Sequence, residues 1–245
     1  MELADFSPQL STDLAALFPP GVVVAATSAP GERGALLPDE AAGLSVGAVA
    51  KRVHEFAAGR LCARRALAEF GIVDFPVRVG AKREPLWPDG YVGSITHTDG
   101  LYAAVVGERG RFFGLGLDVE QTGRVSASLQ ARICVAGEID WLAGLHSAEA
   151  SVAATLIFAA KEAFYKAQFP VVREWLYFED AAIELPDWPA PTGSWLLRPQ
   201  RAMAIDRVSE FPLRGAYRLA GGFVIAGVAI EPRAATDLPG FQNLR

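Results

Sequence analysis

Gly114-Leu115-Gly116-Leu117-Asp118-Val119-Glu120 is the stretch that decides how this chain of 245 residues is organised. Its leucines and valine alternate with Gly116, Asp118 and Glu120, so the pattern predicts a strand with one apolar and one acidic face. Two acids at i and i+2 on a strand lie side by side, roughly 6.5–7 Å apart at their Cα atoms. Their carboxylates can therefore share one cation.

The glycines of this strand lie on the same face as the acids. There they would leave room for a bulky polyanion to approach the backbone, and we expect such a ligand against Gly116. An ordinary strand with a solvated outer face explains the same alternation equally well. This stretch alone leaves both interpretations open.

A long helix is predicted downstream, from residue 147 or 151 to residue 168, where Pro170 ends it. Glu162 and Lys166 lie together along the edge of its apolar stripe. On an isolated helix they would form a surface pair worth roughly 0.2–0.5 kcal/mol. Beside the acidic strand, they can supply a third carboxylate and a cation for a phosphate. Three carboxylates without His or Cys suit Mg²⁺, which takes its other ligands from water and substrate phosphates.

An upstream helix is predicted from about Lys51 to Phe70, closed by Gly71. Arg60 and Arg64 fall in the middle of its apolar arc, and a buried guanidinium needs a partner because burying an unpaired charge is very costly. We assign Arg60 to a bidentate phosphate contact and Arg64 to a structural ion pair with an acid elsewhere in the chain.

The remaining elements are mostly strands, which gives an α+β layout in each half of the chain. Short helices are expected between residues 121 and 146, and a Pro- and Gly-rich loop spans residues 83–90. The turn Glu108-Arg109-Gly110-Arg111 is interpreted as a hairpin connection, and Ala220-Gly221-Gly222 as another. The predicted strands cover residues 91–97, 101–107, 112–119, 195–197, 215–219 and 223–230.

Composition restricts the possible classes of protein. The chain is 51% hydrophobic and 21% charged, as expected of a globular protein with two domains of roughly 110–130 residues. A net charge of −5 argues against general affinity for nucleic acid. Cys62 and Cys134 are too few for a disulfide framework or a zinc-cysteine site. No apolar run is long enough to span a bilayer and the N-terminus does not resemble a signal peptide, so we expect a cytoplasmic protein.

Four blocks of sequence in a fixed order resemble the 4′-phosphopantetheinyl transferases, in particular the larger type that serves nonribosomal peptide, siderophore and polyketide synthases. The resemblance implies two similar α+β halves related by a pseudo-twofold axis, residues 1–112 and 113–245, with coenzyme A between them. It also implies that 4′-phosphopantetheine is transferred from coenzyme A to a serine of an apo acyl or peptidyl carrier protein, with release of 3′,5′-ADP. The four blocks are Phe56–Arg60, Trp87-Pro88-Asp89-Gly90 leading to Ile95-Thr96-His97-Thr98, Gly116–Glu120 and Phe158–Lys166.

The resemblance also implies roles for individual residues. By position, Asp118, Glu120 and Glu162 correspond to ligands of Mg²⁺, which Mn²⁺ could replace, and Glu162 or a metal-bound water corresponds to the base for the serine. Lys166 corresponds to a catalytic phosphate contact. Threonines stand where the family often has serines, and Glu84 stands where some members have a basic residue, so that Arg83 would substitute for it. The coenzyme A contacts are then Arg60, Arg83, Thr96, His97, Lys161 and Lys166.

Other classes use similar residues. A metal-dependent phosphohydrolase acting on a nucleotide-like pyrophosphate is the main alternative, and a module that binds a carrier protein without chemistry is another. For a transferase we expect a monomer whose carrier protein docks with a helix in a groove. We place that groove in residues 121–145, which include Arg124, Ile133, Trp141 and Leu142.

Overall fold

The computed structural model describes residues 8–209 and 211–232, and six α-helices and ten strands lie within those ranges. The helices are α1 Pro8–Ala15, α2 Pro38–Ala41, α3 Ala50–Ala68, α4 Ala127–Ile133, α5 Ala136–Ala143 and α6 Ser147–Val172. The strands are β1 Val23–Thr27, β2 Arg78–Val79, β3 Pro85–Leu86, β4 Tyr91–Thr98, β5 Leu101–Glu108, β6 Gly114–Gln121, β7 Ala181–Glu184, β8 Thr192–Pro199, β9 Leu213–Ala220 and β10 Phe223–Ile230.

Two antiparallel sheets and two long helices build the molecule. The first sheet has the strand order β1-β5-β4 and packs against α3, and the second has the order β6-β10-β9-β8-β7 and packs against α6. A separate two-stranded ribbon joins β2 and β3. The predicted α+β fold with two similar halves is therefore confirmed. In the described ranges, none of the helices has both the length and the apolar character needed to cross a membrane.

The connection between β5 and β6 is not the hairpin that we predicted. The two strands belong to different sheets, because the N–H of Phe113 already donates to the carbonyl of Ile230 at the end of β10. The hairpin in this region joins β4 to β5 instead, around Asp99 and Gly100, and Gly100 adopts a φ of 82° that favours glycine. The turn after β5 thus carries the chain from one sheet to the other.

The C-terminal predictions hold with one difference. β9 and β10 form the expected hairpin, with Gly221 and Gly222 both at positive φ. Short helices α4 and α5 occupy residues 121–146 as expected. Helix α6, however, continues past Pro170 to Val172, because a proline in the last turns removes only one helical hydrogen bond. The helix ends at Arg173, which is left-handed with a φ of 56°.

The apolar face of β6 holds the two halves together. Leu115, Leu117 and Val119 are buried in a cluster that also contains Val92 and Val105 of the first sheet. Burying a side chain of this size contributes roughly 1.5–3 kcal/mol, so these residues give the interface between the sheets a substantial apolar core. The acidic face of β6 consequently turns toward α6.

Helix α6 lies unusually close to the opposite face of β6. A Cβ atom added to Gly116 would lie 1.8 Å from the carbonyl oxygen of Ala163, and one added to Gly114 would lie 2.1 Å from that of Ala167. The glycines therefore make room for the helix backbone, and the predicted polyanion against Gly116 is wrong. The same close approach brings the side chains of α6 beside Asp118.

A buried ion pair anchors α3 in the first half. The Arg64 guanidinium pairs with the carboxylate of Glu40 and donates to the carbonyl of Ala35 at 2.7 Å. Glu40, at the third position of α2, also accepts the backbone N–H groups of Leu37 at 3.0 Å and Val77 at 3.1 Å. Glu40 is fully buried, and it is the acidic partner that we expected for Arg64.

A second ion pair anchors α6 with the same connections. Lys161 donates to Glu138 at 2.8 Å and to the carbonyl of Ile133 at 2.8 Å. Glu138, at the third position of α5, accepts the N–H groups of Val135 at 2.7 Å and Ile183 at 2.6 Å. In both halves the cation also binds a backbone carbonyl three residues before the short helix begins, that of Ala35 before α2 and that of Ile133 before α5. This repeat of contacts is invisible as sequence similarity.

Candidate active site

The candidate site forms where the two halves meet, at the ends of β4 and β6 and the middle of α6. Strand β6 places Asp118 and Glu120 on its acidic face, and α6 places Glu162 and Lys166 one turn apart. Strand β4 contributes Thr96 from the other half. Residues from both sheets therefore build one site, which neither half could form alone.

Lys166 lies at the centre of a hydrogen-bond network. Its Nζ donates to Asp118 Oδ1 at 2.5 Å and to the carbonyl of Leu117 at 3.2 Å, and it lies 3.4 Å from Thr96 Oγ1. The Thr96 hydroxyl donates to Asp118 Oδ1 at 3.2 Å and accepts the N–H of Val119 at 3.2 Å. A coenzyme A contact through the Thr96 hydroxyl would therefore compete with these bonds. In this structure the hydroxyl joins β4 to β6.

The three acids lie within one another's electrostatic field. Burial, and then the charge of Asp118, raises the pKa of Glu120 to about 7, although Arg124 and Lys166 oppose the shift. Burial also raises the pKa of Glu162, with Asp118 adding to the effect and Lys166 opposing it. Negative charge is thus crowded at this point, and a cation would relieve the repulsion.

Oxygen ligands for a hard cation are present, although they do not form a complete cage. Within the described parts of the chain, no three His, Cys, Asp or Glu side chains form a ready-made metal-binding group. Asp118 Oδ2 is nevertheless buried without a hydrogen-bond partner, and Glu120 and Glu162 lie half-buried nearby in the same field. Mg²⁺ is commonly held by one or two carboxylates and completed by substrate phosphates and water. The donor set therefore fits Mg²⁺ bound together with a phosphate ligand.

A polar cavity of about 140 Å³ lies on the side of the first half. Arg60, Arg83 and His97 all line it, so the structure brings three of the predicted phosphate contacts together. Arg60 is only 6% exposed; its Nε donates to the carbonyl of Val77 at 2.6 Å and its guanidinium lies over the Phe56 ring. Burial lowers the pKa of Arg60 to about 10, so it stays charged at neutral pH.

Sequence analysis missed another arginine of this cavity. Arg52 lines it together with Glu55, on the same face of α3 as Arg60 because the two arginines are eight residues apart. That spacing in the sequence could have indicated that Arg52 lies beside Arg60. The Nδ1 atom of His97 lies 3.8 Å from Glu55, and burial lowers the pKa of His97, which favours a neutral ring.

A second cavity of about 210 Å³ shares a wall with the polar cavity and reaches Glu162. Arg83 lines both cavities, and Glu162 and Lys166 line the second. Glu84 is not available as a ligand contact because its carboxylate pairs with Arg173. Lys82 and Arg83 of this loop are both exposed and line the second cavity, and Arg83 also lines the polar cavity, so its role as a coenzyme A contact stays a prediction.

An apolar cavity of about 360 Å³ opens on the other side of Glu162. Phe164 and Tyr165 of α6 form one wall, and the segment 175–178 forms another. Trp175 packs edge-on against Tyr165, with the ring centroids 5.5 Å apart. The consecutive large apolar residues Trp175-Leu176-Tyr177-Phe178, directly after a helix that carries a site residue, are a signal that could have indicated this wall.

Two family models cover most of the chain. Residues 39–107 match the 4′-phosphopantetheinyl transferase N-terminal domain, and residues 114–221 match the 4′-phosphopantetheinyl transferase superfamily. The chain belongs to the 4′-phosphopantetheinyl transferase family. It is an enzyme that transfers phosphopantetheine to carrier proteins, with coenzyme A as the substrate, and this confirms the class of reaction predicted from the four sequence blocks.

Curated relatives agree with this assignment over about three quarters of the chain or more. The phosphopantetheinyl transferase Svp of Streptomyces mobaraensis is 35% identical over 91% of this chain and 91% of its own. Npt of Nocardia iowensis is 36% identical over 74% of this chain and 83% of its own. PptT of Mycobacterium tuberculosis is 36% identical over 79% of this chain and 86% of its own.

Lys161 of the transferase lines the apolar cavity, but its ammonium group is not free to bind a phosphate of coenzyme A, and a phosphate contact through Lys161 needs correction. Its side chain is 3% exposed, and its Nζ donates to Glu138, to the carbonyl of Ile133 and, at 3.0 Å, to the carbonyl of Phe178. An ammonium group has three N–H donors, and all three are used. Charge and proximity to Glu162 in the sequence suggested a ligand role, whereas the structure gives Lys161 a structural one.

The predicted carrier groove of the transferase is only partly available. Leu142 is 3% exposed and belongs to the core around α6, so it cannot form a docking surface, whereas Ile133, although only 5% exposed, lines part of a cavity. This cavity of about 240 Å³ lies beside α4 and is also lined by Arg124, Leu129 and Arg132 among others. Its apolar floor and basic rim keep this part of the prediction open.

Proposed function

We propose that this phosphopantetheinyl transferase attaches the arm of coenzyme A to a serine hydroxyl of an apo acyl or peptidyl carrier protein, releases 3′,5′-ADP and depends on Mg²⁺ or Mn²⁺. One observation carries the proposal: an arginine-rich cavity, a cavity that reaches Glu162 and Lys166, and an apolar cavity follow one another, with Arg83 lining the first two and Glu162 the last two. Coenzyme A has nucleotide phosphates, a pyrophosphate and an apolar arm in the same order.

The acidic centre acts on the pyrophosphate. Asp118, Glu120 and Glu162 would hold Mg²⁺, which supplies neutralisation of phosphate charge when bound. Lys166 is held beside Asp118 and directs its ammonium at the same charge. Positioning and charge stabilisation account for most of the catalysis in phosphoryl transfer, and a rigid network of this kind provides both.

Glu162 is the base in this scheme. Burial raises the pKa of Glu162 in the absence of a metal, and a bound Mg²⁺ would lower it, so the role of base rests on its position lining both the second and the apolar cavity. The serine oxygen attacks the β-phosphorus of coenzyme A as Glu162 takes the hydroxyl proton. The bond from that phosphorus to the bridging oxygen of the pyrophosphate breaks, and 3′,5′-ADP leaves with the electron pair.

The nucleotide side relies on charge and hydrogen bonds. Arg60, Arg83 and His97, joined by Arg52, line the polar cavity and would contact the phosphates of 3′,5′-ADP. The pantetheine arm fits the apolar cavity beyond Glu162, because its aromatic walls can cover an extended chain of methylene and amide groups. A phosphohydrolase that acts only on the pyrophosphate would have no need of this apolar cavity.

The carrier protein would dock beside α4, next to the acidic centre. Arg124 is exposed and lies 3.8 Å from Glu120, and Arg132 is exposed on the same rim. Acidic residues around a carrier serine would complement these arginines. Arg124→Glu should raise KM for the carrier about tenfold and change KM for coenzyme A little. Arg109→Glu, on the exposed turn after β5, is the charge-matched control, and equal effects on both substrates would argue for a structural role of Arg124.

Three predictions stay predictions within this proposal. A division of the chain at residues 112 and 113 is supported by the change of sheet between β5 and β6. The monomeric state and the cytoplasmic location are retained from the sequence analysis. We expect neither half to be stable alone, because separating the two sheets would expose Leu115 and Leu117.

Coenzyme A consumption measured with and without an apo carrier protein tests transfer against hydrolysis. We expect coenzyme A to be consumed in proportion to added carrier, EDTA to stop the reaction, and Mg²⁺ or Mn²⁺ to restore it. Consumption without carrier would favour the phosphohydrolase. Full transfer in a metal-free preparation would show that the three carboxylates do not bind a required metal.

A further inference from the structure

The outer wall of the apolar cavity is a loop that Arg201 holds at both ends. We define the aromatic loop as residues 173–180, between the end of α6 and β7. Trp175 and Tyr177 within it are 58% and 66% exposed. Trp175 packs on Tyr165, and Leu176 and Phe178 pack against the core around α6. Packing holds the exposed side chains of the loop only in part, so the contacts that fix the ends of the loop also set their positions.

One guanidinium contacts both ends. Arg201 donates from Nη1 to Glu174 Oε1 at 2.8 Å and, in a fork, from Nε and Nη2 to the two carboxylate oxygens of Asp180 at 2.7 and 3.1 Å. Bidentate pairing fixes orientation as well as distance. The five residues between Glu174 and Asp180 include four that line the apolar cavity.

Each carboxylate that Arg201 holds also fixes backbone. Asp180 accepts the N–H of Tyr177 at 2.8 Å, and Glu174 accepts the N–H of Ala204 at 2.7 Å. The Arg201 hydrogen bonds hold the pKa of Asp180 below its usual range. The pairs are partly exposed, with Arg201 side-chain exposure at 40%, so their net contribution to folding stability should be modest. Their effect should appear in the shape of the loop.

We propose that Arg201 is a positioning residue for coenzyme A: by clamping Glu174 and Asp180 it sets the aromatic loop as the wall that receives the pantetheine arm. This inference rests on the proposed function, which places the arm in the apolar cavity. Without the clamp the loop moves, the wall no longer matches the arm, and the nucleotide contacts at Arg60, Arg83 and His97 are unaffected.

Two ligands separate arm binding from nucleotide binding. Coenzyme A carries the arm, whereas 3′,5′-ADP is the same nucleotide without it. For Arg201→Met we expect the Kd of coenzyme A to rise roughly tenfold, because the loop must then be ordered when the arm binds, while the Kd of 3′,5′-ADP stays constant. Turnover at saturating coenzyme A should fall less than the affinity, because Arg201 does not touch Glu162 or Lys166.

Arg198→Met is the matched control. Arg198 also pairs with one carboxylate through two of its nitrogens, but its partner is Glu184, which lies outside the aromatic loop. Removing this exposed pair should change either Kd by less than about twofold. Arg201→Lys should be intermediate, because one ammonium cannot fork onto Asp180 and still hold Glu174. Glu174→Gln, which weakens only one end of the clamp, gives a milder test if Arg201→Met does not fold.

The outcomes are distinct. Equal weakening of coenzyme A and 3′,5′-ADP, or no change in either, would overturn the positioning role of Arg201. A wild-type enzyme that binds coenzyme A but transfers nothing to a carrier would refute the proposed function instead. Weakening confined to coenzyme A, with an unchanged response in Arg198→Met, supports the clamp.

Discussion

Arg64 on α3 and Lys161 on α6 hold matching places in the two halves. Each donates to a buried glutamate in the first turn of a short helix, Glu40 in α2 or Glu138 in α5. Each glutamate accepts two further backbone N–H groups, one local and one distant in the chain. The two halves therefore share a pattern of contacts, in which Arg64 of the first half and Lys161 of the second have the same structural role.

The residues around these cations differ completely. One turn before Arg64, α3 carries Arg60, which lines the nucleotide cavity. Directly after Lys161, α6 carries Glu162, and Lys166 follows one turn later. The shared ion pair holds each helix, and the positions without a counterpart in the other half carry the chemistry. A charged residue on such a helix can thus be assigned only when its partner is known.

Asp118→Ala has the largest expected effect and tests whether the second half carries the chemistry. Loss of this carboxylate should lower the transfer rate by roughly three orders of magnitude, since metal-ion stabilisation of a phosphoryl group is worth several kcal/mol. Lys166 would lose a partner but is 26% exposed and can be solvated, so the melting temperature should change little. Single-turnover assays and thermal melts measure both. A fully active variant would remove Asp118 from the site.

Lys161→Met and Arg64→Met test the similarity of the halves. Each leaves a buried glutamate without its cation, so each should lower the free energy of unfolding by about 3–5 kcal/mol, measured by urea titration. Arg65→Met is the control, because Arg65 makes an exposed pair with Glu69 and should cost at most about 1 kcal/mol. A stable Lys161→Met enzyme with weakened coenzyme A binding would restore the ligand role that the sequence suggested.

Gly116→Ala tests a feature of the second half, the close packing of β6 on α6. The new methyl group would meet the Ala163 carbonyl, so the helix must shift, at a cost of about 1–3 kcal/mol or more. The shift should also separate Lys166 from Asp118 and slow transfer. At Gly110 an added Cβ meets no atom within 4 Å, which makes Gly110→Ala the control. Equal stability of the two variants would contradict the packing account.

Arg60→Lys has the smallest expected effect and tests the first half. Lysine keeps the charge but loses the fork, so coenzyme A should bind more weakly by roughly 1–3 kcal/mol. Loss of the Nε bond to the Val77 carbonyl should cost about 1 kcal/mol of stability without ligand, less than for Arg64→Met. Thermal melts with and without saturating coenzyme A distinguish the two. A large loss of stability with the ligand-induced shift preserved would reverse the roles of these arginines.

Local patterns in the sequence were sufficient for most of the fold. Alternation identified β6, and helical spacing identified α3 and most of α6, because both signals depend on neighbouring residues. The wrong hairpin between β5 and β6 came from the same reasoning, since a turn sequence does not show which sheet the next strand joins. That choice depends on Phe113 bonding to Ile230, more than a hundred residues later.

The site was predictable as a set of residue types, but their partners were not. Asp118, Glu162 and Lys166 were found from strand and helix periodicity. Lys161 was misassigned because its partner, Glu138, lies on another helix. The glycines of β6 were misread for a similar reason, since the sequence cannot show that a helix backbone fills the space they leave.

The intact mass of an apo carrier protein tests the central claim most directly. The carrier is incubated with the transferase, coenzyme A and Mg²⁺, beside a carrier whose acceptor serine is replaced by alanine. We predict that the serine carrier gains the mass of one phosphopantetheinyl group, that the alanine carrier gains none, and that EDTA prevents the gain. A carrier that stays unmodified while coenzyme A is cleaved would contradict the account.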